Sequence, residues 1–356
     1  MNNIKKILIT GNMGYIGPVL TSYLRSIYPG IEIYGIDLGF FGHCLTGASV
    51  IPESRVDIQY ISDVRNPSEI FLKDIDAVIH LAAISNDPMG NAFEDVTTQI
   101  NYQASIDIAK AAKAAGVKSF VFASSCSVYG YAEGDARDEG SELNPLTAYA
   151  KSKINTEKAI EDLADENFVI TSLRFPTACG MSDRLRLDLV LNDFVASAVA
   201  AKKITILSDG TPWRPLIDVK DMSRAMDWGI NRTSESGGNF LAINVGRTEW
   251  NYQVKELAEQ VCKVIPDVEI EINTNAQPDK RSYRVDFSLY KKLAPNHQPQ
   301  VDLTQTITEL KNGLEMMQFS DQRFRESEYI RLKVLSRLIE DGVLSEQLEW
   351  ANRATA

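Results

Sequence analysis

The chain has 356 residues and carries 37 Lys and Arg against 48 Asp and Glu, a formal net charge of −11. With 44% hydrophobic, 24% charged and 8% aromatic residues it sits near the globular average, which excludes disordered, collagen-like and small disulfide-scaffold classes; its length suits one large α/β domain or two smaller ones at roughly 100–200 residues each. An acidic surface repels phosphate backbones and anionic lipid, so neither nucleic acid nor a membrane surface is expected as the main partner, and an anionic ligand must be met by a few local basic groups.

In chain order, the runs Lys6–Thr10, Ile31–Ile36, Val56–Ile61, Ile75–Ala82, Ser119–Ser124 and Phe168–Arg174 read as strands, with helix-length segments such as Ile16–Ile27 and Asn101–Ala115 between most of them. Short apolar runs separated by helices predict an α/β fold, a doubly wound parallel sheet of the Rossmann type with both faces covered. Beyond Arg174 the alternation breaks: a helix is expected over Leu187–Ala201, a short strand over Ile204–Leu207, and mixed elements beyond Ile243. The expected division is a dinucleotide domain over 1–176 with a returning segment near 214–244, a smaller interleaved substrate domain from 177–213 and 245–320, and a helical extension over 321–356. In that extension a final helix is expected over Ser327–Glu340, where Tyr329, Ile330, Val334, Leu335 and Leu338 recur at helical spacing and Gly342 marks a stop.

The first strand ends in Thr10-Gly11-Asn12-Met13-Gly14-Tyr15-Ile16-Gly17. Gly11 permits a tight turn, Gly14 lets backbone N–H groups approach a diphosphate, and Gly17 lets the helix pack on the strand, while the helix N-terminus favours the phosphate charge. Asp37 follows 20 residues after Gly17, at the end of the second strand, where a carboxylate grips ribose hydroxyls. It also repels a 2′-phosphate, and no Lys or Arg lies between Thr10 and Arg25 to receive one; the expected cofactor is NAD. Asp63-Val64 either meets the adenine edge or forms a polar strand end.

Further on stand Ser124-Ser125-Cys126-Ser127-Val128-Tyr129-Gly130 at a strand end and Tyr149-Ala150-Lys151-Ser152-Lys153 at a helix start. The Tyr-x-x-x-Lys spacing puts Tyr149 and Lys153 on one helical face, where the ammonium can lower the phenol's pKa and favour a phenolate base. No metal site is expected: Cys44, Cys126, Cys179 and Cys262 form no Cys-x-x-Cys pair, and of His43, His80 and His297 only His43 adjoins a cysteine. No run approaches the ~18–20 apolar residues of a membrane span, and the start of the chain enters a strand directly, so the cytoplasm is the expected compartment.

The glycine turn, the paired serines before Val-Tyr-Gly and Tyr-x-x-x-Lys, in that order, resemble the extended short-chain dehydrogenase/reductases, specifically the NAD-dependent nucleotide-sugar epimerase/dehydratase family. The resemblance runs from Ile7 to about Phe287. It implies a nucleotide-diphosphate sugar as substrate, with Ser125 bonded to the reacting sugar oxygen, Tyr149 as acid/base and Lys153 on the nicotinamide ribose. It further implies cofactor contacts from Tyr15, Ile16, Leu81, Ala82, Ala83, Asn101 and Pro176. Arg214, in Gly210-Thr211-Pro212-Trp213-Arg214-Pro215, and Arg281, in Asp279-Lys280-Arg281-Ser282-Tyr283, look like the family's diphosphate-binding arginines; the other reading of each is a surface Arg paired with an Asp. Cys126, Ser127 and Thr177 fall at substrate-facing positions.

Departures from the family pattern narrow the reaction. Dehydratases carry an Asp-Glu pair where this chain has Cys126 and Ser127, and decarboxylases place a Glu at Ser127, so neither elimination nor decarboxylation is expected. Thr177 replaces the more usual Asn, and Arg184-Leu185-Arg186-Leu187-Asp188 reads as a specificity segment or as the charged start of a helix. Three readings remain: an epimerase acting by transient oxidation at sugar carbon 4, a 4-ketoreductase or dehydrogenase with exchangeable NAD(P)H, and a non-catalytic NAD-binding regulator. Cys126 is either a packing residue or a reactive thiol. A homodimer is implied through a four-helix interface of Asn101–Ala115 and Ala148–Leu163, with Ala104, Ala111, Ala112 and Ala115 allowing close approach.

Overall fold

In the computed structural model residues 4–273, 276 and 281–351 are described; Asp279 and Lys280 beside Arg281 lie outside them, as do the first three and last five residues. The first half alternates as the apolar runs require: β1 (Lys6–Thr10), α1 (Gly17–Ile27), β2 (Glu32–Asp37), β3 (Ile58–Ile61), α2 (Glu69–Leu72), β4 (Ala77–His80), α3 (Asp87–Ala92), α4 (Glu94–Thr98), α5 (Ala104–Ala114), β5 (Ser119–Ser125), α6 (Ala148–Glu161) and β6 (Val169–Phe175). The second half adds β7 (Thr177–Cys179), α7 (Val190–Ala201), β8 (Lys203–Ile206), β9 (Trp213–Asp218), α8 (Val219–Asn231), β10 (Phe240–Asn244), β11 (Asn251–Gln253), α9 (Val254–Val264), β12 (Glu269–Ile272), α10 (Ser288–Leu293), α11 (Leu303–Met316) and α12 (Arg331–Glu340).

Seven strands form one sheet in the order β10-β6-β5-β4-β1-β2-β3, and every neighbouring pair is parallel. Side chains alternate between the two cores: Leu8, Phe120 and Phe122 enter one, Ile7, Ile9 and Val121 the other. Both faces are therefore apolar, as a helix-covered parallel sheet demands. A three-stranded sheet (β11-β9-β7) and a two-stranded one (β12-β8) sit beyond it. The returning segment thus differs from the expected 214–244: β9 pairs with β7 and β11, and only α8 and β10 join the large sheet, β10 along β6.

Three local expectations shift for identifiable reasons. Asn101 does not open a helix, because the chain is already helical from Glu94 and passes through a π-helical turn at Gln99–Gln103. The last helix begins at Arg331 instead of Ser327, since the Tyr329 carbonyl accepts from Leu187 N at 3.0 Å and leaves the helical ladder. Gly342 does end it, at φ +64°. On α5, Ala104 and Ala112 are buried within their own chain, so they are not available to a partner helix.

Under the sheet's end lies a buried charge network. The Glu157 carboxylate on α6 accepts from Arg174 Nη2 at 2.7 Å, from Ser124 Oγ at 2.5 Å and from Ser172 Oγ at 3.1 Å, with both charged side chains under a tenth exposed. Removing one partner of such a pair strands the other charge in a low-dielectric interior. Glu157→Ala is accordingly expected to lower unfolding free energy by about 3–5 kcal/mol, and Glu157→Gln by less, in chemical denaturation followed by circular dichroism.

Candidate active site

The loop from β1 into α1 is shaped by close approaches. Gly11 adopts φ +73°, and a Cβ there would lie 2.6 Å from Ala82 N on the loop after β4. A Cβ on Gly17 would sit 1.9 Å from the Asn12 carbonyl oxygen, so α1 packs onto the turn only with glycine at this position. No side chain caps α1; Pro18 has no N–H and those of Val19 and Leu20 donate to the Ile16 carbonyl, so the positive end of the helix at Gly17 is what α1 offers an anion. At the end of β2, Asp37 accepts from Met13 N at 2.9 Å and Gly39 N at 2.8 Å; burial raises its pKa and these two N–H groups lower it.

On the other side, Ser125 ends β5 and its Oγ accepts from Ser127 N at 3.1 Å. Tyr149 lies in the first turn of α6, capped by Thr147, whose Oγ1 accepts from Ala150 N at 3.1 Å and donates to Asp87 at 2.7 Å. Lys153 Nζ stands 5.6 Å from the Tyr149 ring centroid and donates to the Ala123 carbonyl at 2.7 Å. Burial pushes Lys153 down to about 7, against the raising charge of Glu157. The expected lowering of the phenol by Lys153 is not what the fold delivers: burial pushes Tyr149 up to about 12, and the bond with Ser125 is the largest influence pulling it back.

These groups share one cavity of about 800 Å³, toward the upper end of the ~300–1,000 Å³ typical of ligand sites. Its wall includes Gly11, Gly14, Tyr15, Ile16, Asp37, Asp63 and Val64 from the first three loops, and Leu81, Ala82 and Ala83 after β4. Ser125, Ser127, Tyr149, Lys153, Pro176 and Thr177 continue it, and Arg214 joins from β9 and Arg281 from the segment before α10. The two arginines are together: Arg214 Nη1 donates to the Arg281 carbonyl, and Arg281 Nη1 lies 3.2 Å from Asp87.

The model of the NAD dependent epimerase/dehydratase family matches residues 7–246. The chain belongs to this family. It is 28% identical over 281 residues to a UDP-glucose 4-epimerase of Lactobacillus helveticus, covering 73% of this chain and 81% of that one. It is 27% identical over 251 residues to an uncharacterized UDP-glucose epimerase, YtcB, of Bacillus subtilis (strain 168), covering 68% and 77%. Among solved structures, the fold matches a UDP-glucose-4-epimerase from Stenotrophomonas maltophila, solved with bound NAD and formylated UDP-arabinopyranose, at a TM-score of 0.75 and 22% identity, covering 89% of this chain and 99% of that one.

The chain is thus an NAD-dependent enzyme of the epimerase/dehydratase family, and the glycine cradle at Gly11 and Gly17, into which no Cβ fits, suits the dinucleotide. Two site expectations need correction. Cys126 does not face the cavity: it is fully buried beside Tyr129, Ile154 and Val285, and its thiol donates to the Arg174 carbonyl at 3.1 Å, because the turn after β5 sends Ser125 and Ser127 to one side and Cys126 to the other. Burial raises its thiol well above the usual range, so it is a packing residue. Asn101 does not line the cavity either; it accepts from Ile84 N at 2.7 Å and donates to the Ile84 carbonyl at 2.9 Å, holding the loop after β4 from behind. Asp63 does line it, but its carboxylate is paired with Arg65 at 2.6 Å.

Sequence reasoning missed two residues of the cavity wall. Arg186, noted only as part of a charged segment, is buried at the cavity wall, paired with Asp188 at 2.8 Å and donating to Ser85 at 2.8 Å; its charge lowers the Tyr149 phenol. Arg331 reaches the wall from α12, and a helix that also carries Lys333 and Arg337 gives no local sign of which basic residue will do so. From the placement of Asp37 beside the glycine loop, Asp37→Ala is expected to weaken NAD binding and narrow its advantage over NADP, measured by titrating cofactor fluorescence. A wild type that prefers NADP would contradict the assignment.

Proposed function

We propose that this enzyme is a nucleotide-sugar epimerase that works by transient oxidation at sugar carbon 4. The observation that carries the reading is that Ser125, Tyr149 and Lys153 meet at one wall while the two following positions hold a buried thiol, Cys126, and a serine, Ser127. No carboxylic acid stands there to expel a hydroxyl, so proton and hydride movement without elimination is the chemistry left. The L. helveticus and B. subtilis relatives, both named for UDP-glucose, support a uridine diphosphate sugar as the first substrate to try.

In this reading Ser125 bonds the sugar 4-oxygen and Tyr149 removes and later returns its proton. NAD, when bound, supplies the acceptor and donor of hydride at carbon 4. Because burial holds the phenol near 12, the base needs nearby positive charge, to which Arg186 contributes. Arg214 and Arg281 grip the substrate diphosphate, so the sugar can turn over between the two hydride transfers while its nucleotide stays anchored. Tyr15, Ile16 and Pro176 would border the cofactor, and Thr177 the substrate.

The purified protein is expected to carry NAD(H), to interconvert UDP-glucose and its 4-epimer without added cofactor, and to take up no deuterium from D2O at the inverted carbon. Tyr149→Phe should lower turnover by ~100-fold or more with cofactor still bound. Isolation without cofactor, and oxidation of stoichiometric NADH only with a 4-keto nucleotide sugar, would instead make it a ketoreductase.

A homodimer belongs to the same reading and rests on the family resemblance, the outer faces of α5 and α6 being polar, with Lys110, Lys151 and Lys158 exposed. Light scattering at micromolar concentration is expected to give twice the chain mass of 39.6 kDa; a single-chain mass would refute the dimer.

A further inference from the structure

The carboxy-terminal segment closes over the loops that form the cofactor wall. Arg65 donates to the carbonyls of Gln347 at 2.8 Å and Leu348 at 3.2 Å. Trp350 donates from Nε1 to the Leu38 carbonyl at 2.8 Å, and its ring lies 5.5 Å from that of Phe40. Leu344 and Leu348 are buried in the core that also holds Ile36, Phe40 and Val64. This segment lies beyond the residues matched by the family model, which end at 246.

Three guanidinium groups meet where this segment joins the cavity, and their partners differ. Arg184 is paired with Glu53 at 2.7 Å and Arg186 with Asp188 at 2.8 Å. Arg331 is 1% exposed, yet among the described residues no carboxylate lies within ion-pair distance of it. It donates to the carbonyls of Glu328 at 3.1 Å, Arg184 at 2.9 Å and Leu185 at 3.4 Å, and its guanidinium sits 4.9 Å from the Phe41 ring centroid. Burial lowers its pKa to about 10, so it stays charged at neutral pH. A buried cation facing two like charges is costly unless an anion completes the site, and Arg331 borders the cavity directly.

The geometry points to Arg331 as an additional cofactor-binding residue, a cation delivered by the carboxy-terminal segment to the bridging diphosphate of the dinucleotide. The diphosphate is favoured over a 2′-phosphate because Asp37, on the same loop as Phe41, repels the latter. In this arrangement the segment is part of the cofactor site: Arg331 neutralises the diphosphate, and the contacts of Trp350 and Leu348 keep the Asp37 loop closed around the adenosine.

The inference rests on the cofactor assignment and not on the reaction at carbon 4, so the test reads binding. Full-length wild type and Arg331→Gln, freed of bound nucleotide with charcoal, are titrated calorimetrically with NADH, ADP-ribose, adenosine and UDP. Loss of a charge-assisted contact is expected to weaken NADH and ADP-ribose by roughly 10- to 100-fold, with adenosine and UDP changed less than twofold; Arg331→Lys should recover part of the loss. Arg331→Met, which fills the same space against Phe41, is read in the same way if the Gln variant does not fold. Unchanged ADP-ribose affinity overturns the inference, as does equal weakening of ADP-ribose and adenosine, which means a packing role, or weakening of UDP alone, which moves Arg331 to the substrate. A wild type that binds none of the adenine ligands would sink the cofactor assignment itself.

Discussion

All seven strands of the large sheet run in one direction, and the site depends on that constraint. Parallel pairing forces each connection to return over a face of the sheet, so the loops leaving the carboxyl ends of the strands collect along one edge. The glycine turn follows β1, Asp37 and Phe41 follow β2, Asp63 follows β3, Leu81 to Asp87 follow β4, Ser125 ends β5, and Pro176 follows β6. Six separate loops thereby line a single cavity. The π-helical turn at Gln99–Gln103 serves the same end, since it sets Asn101 to clasp Ile84 and keep the fourth loop in place.

Charge is managed on two scales. The chain as a whole is acidic, yet Arg186, Arg214, Arg281 and Arg331 all border the cavity. Of these, Arg186 and Arg331 are buried, and their charge acts in a low-dielectric setting where it is screened less than at the surface. The same burial displaces the titrations of Tyr149 and Lys153 in opposite senses, the phenol upward and the ammonium downward, because each neutral form is the one the interior favours.

Much of this was legible in the chain. The apolar runs locate the first six strands to within two residues at every boundary, because burial on both faces of a parallel sheet leaves little choice but continuous Val, Ile, Leu and Phe. The glycine spacing, Asp37 and Tyr149-x-x-x-Lys153 are local signals, each confined to one turn. What failed was directional. Cys126 falls at a substrate-facing position although its side chain points into the core, Asn101 at a cofactor-facing one although it braces a loop, and Ala104 and Ala112 on the expected partner face although the chain buries them itself. Sequence position shows nearness to a site, and one residue of rotation about the backbone decides which side the group faces.

By itself, then, the sequence determined the fold class, the dinucleotide turn, the Ser125, Tyr149 and Lys153 constellation and the family, since each is written in residues close together and dictated by local geometry. Only the tertiary structure decided how Tyr149 and Lys153 titrate, that β9 leaves the large sheet for a small one, and that Arg186 and Arg331 stand at the cavity. Titration follows from burial, and burial is a property of the whole packed chain. Arg331 meets the carbonyl of Arg184 across 147 residues, and no pattern within a helix records what will lie opposite it once the chain has closed.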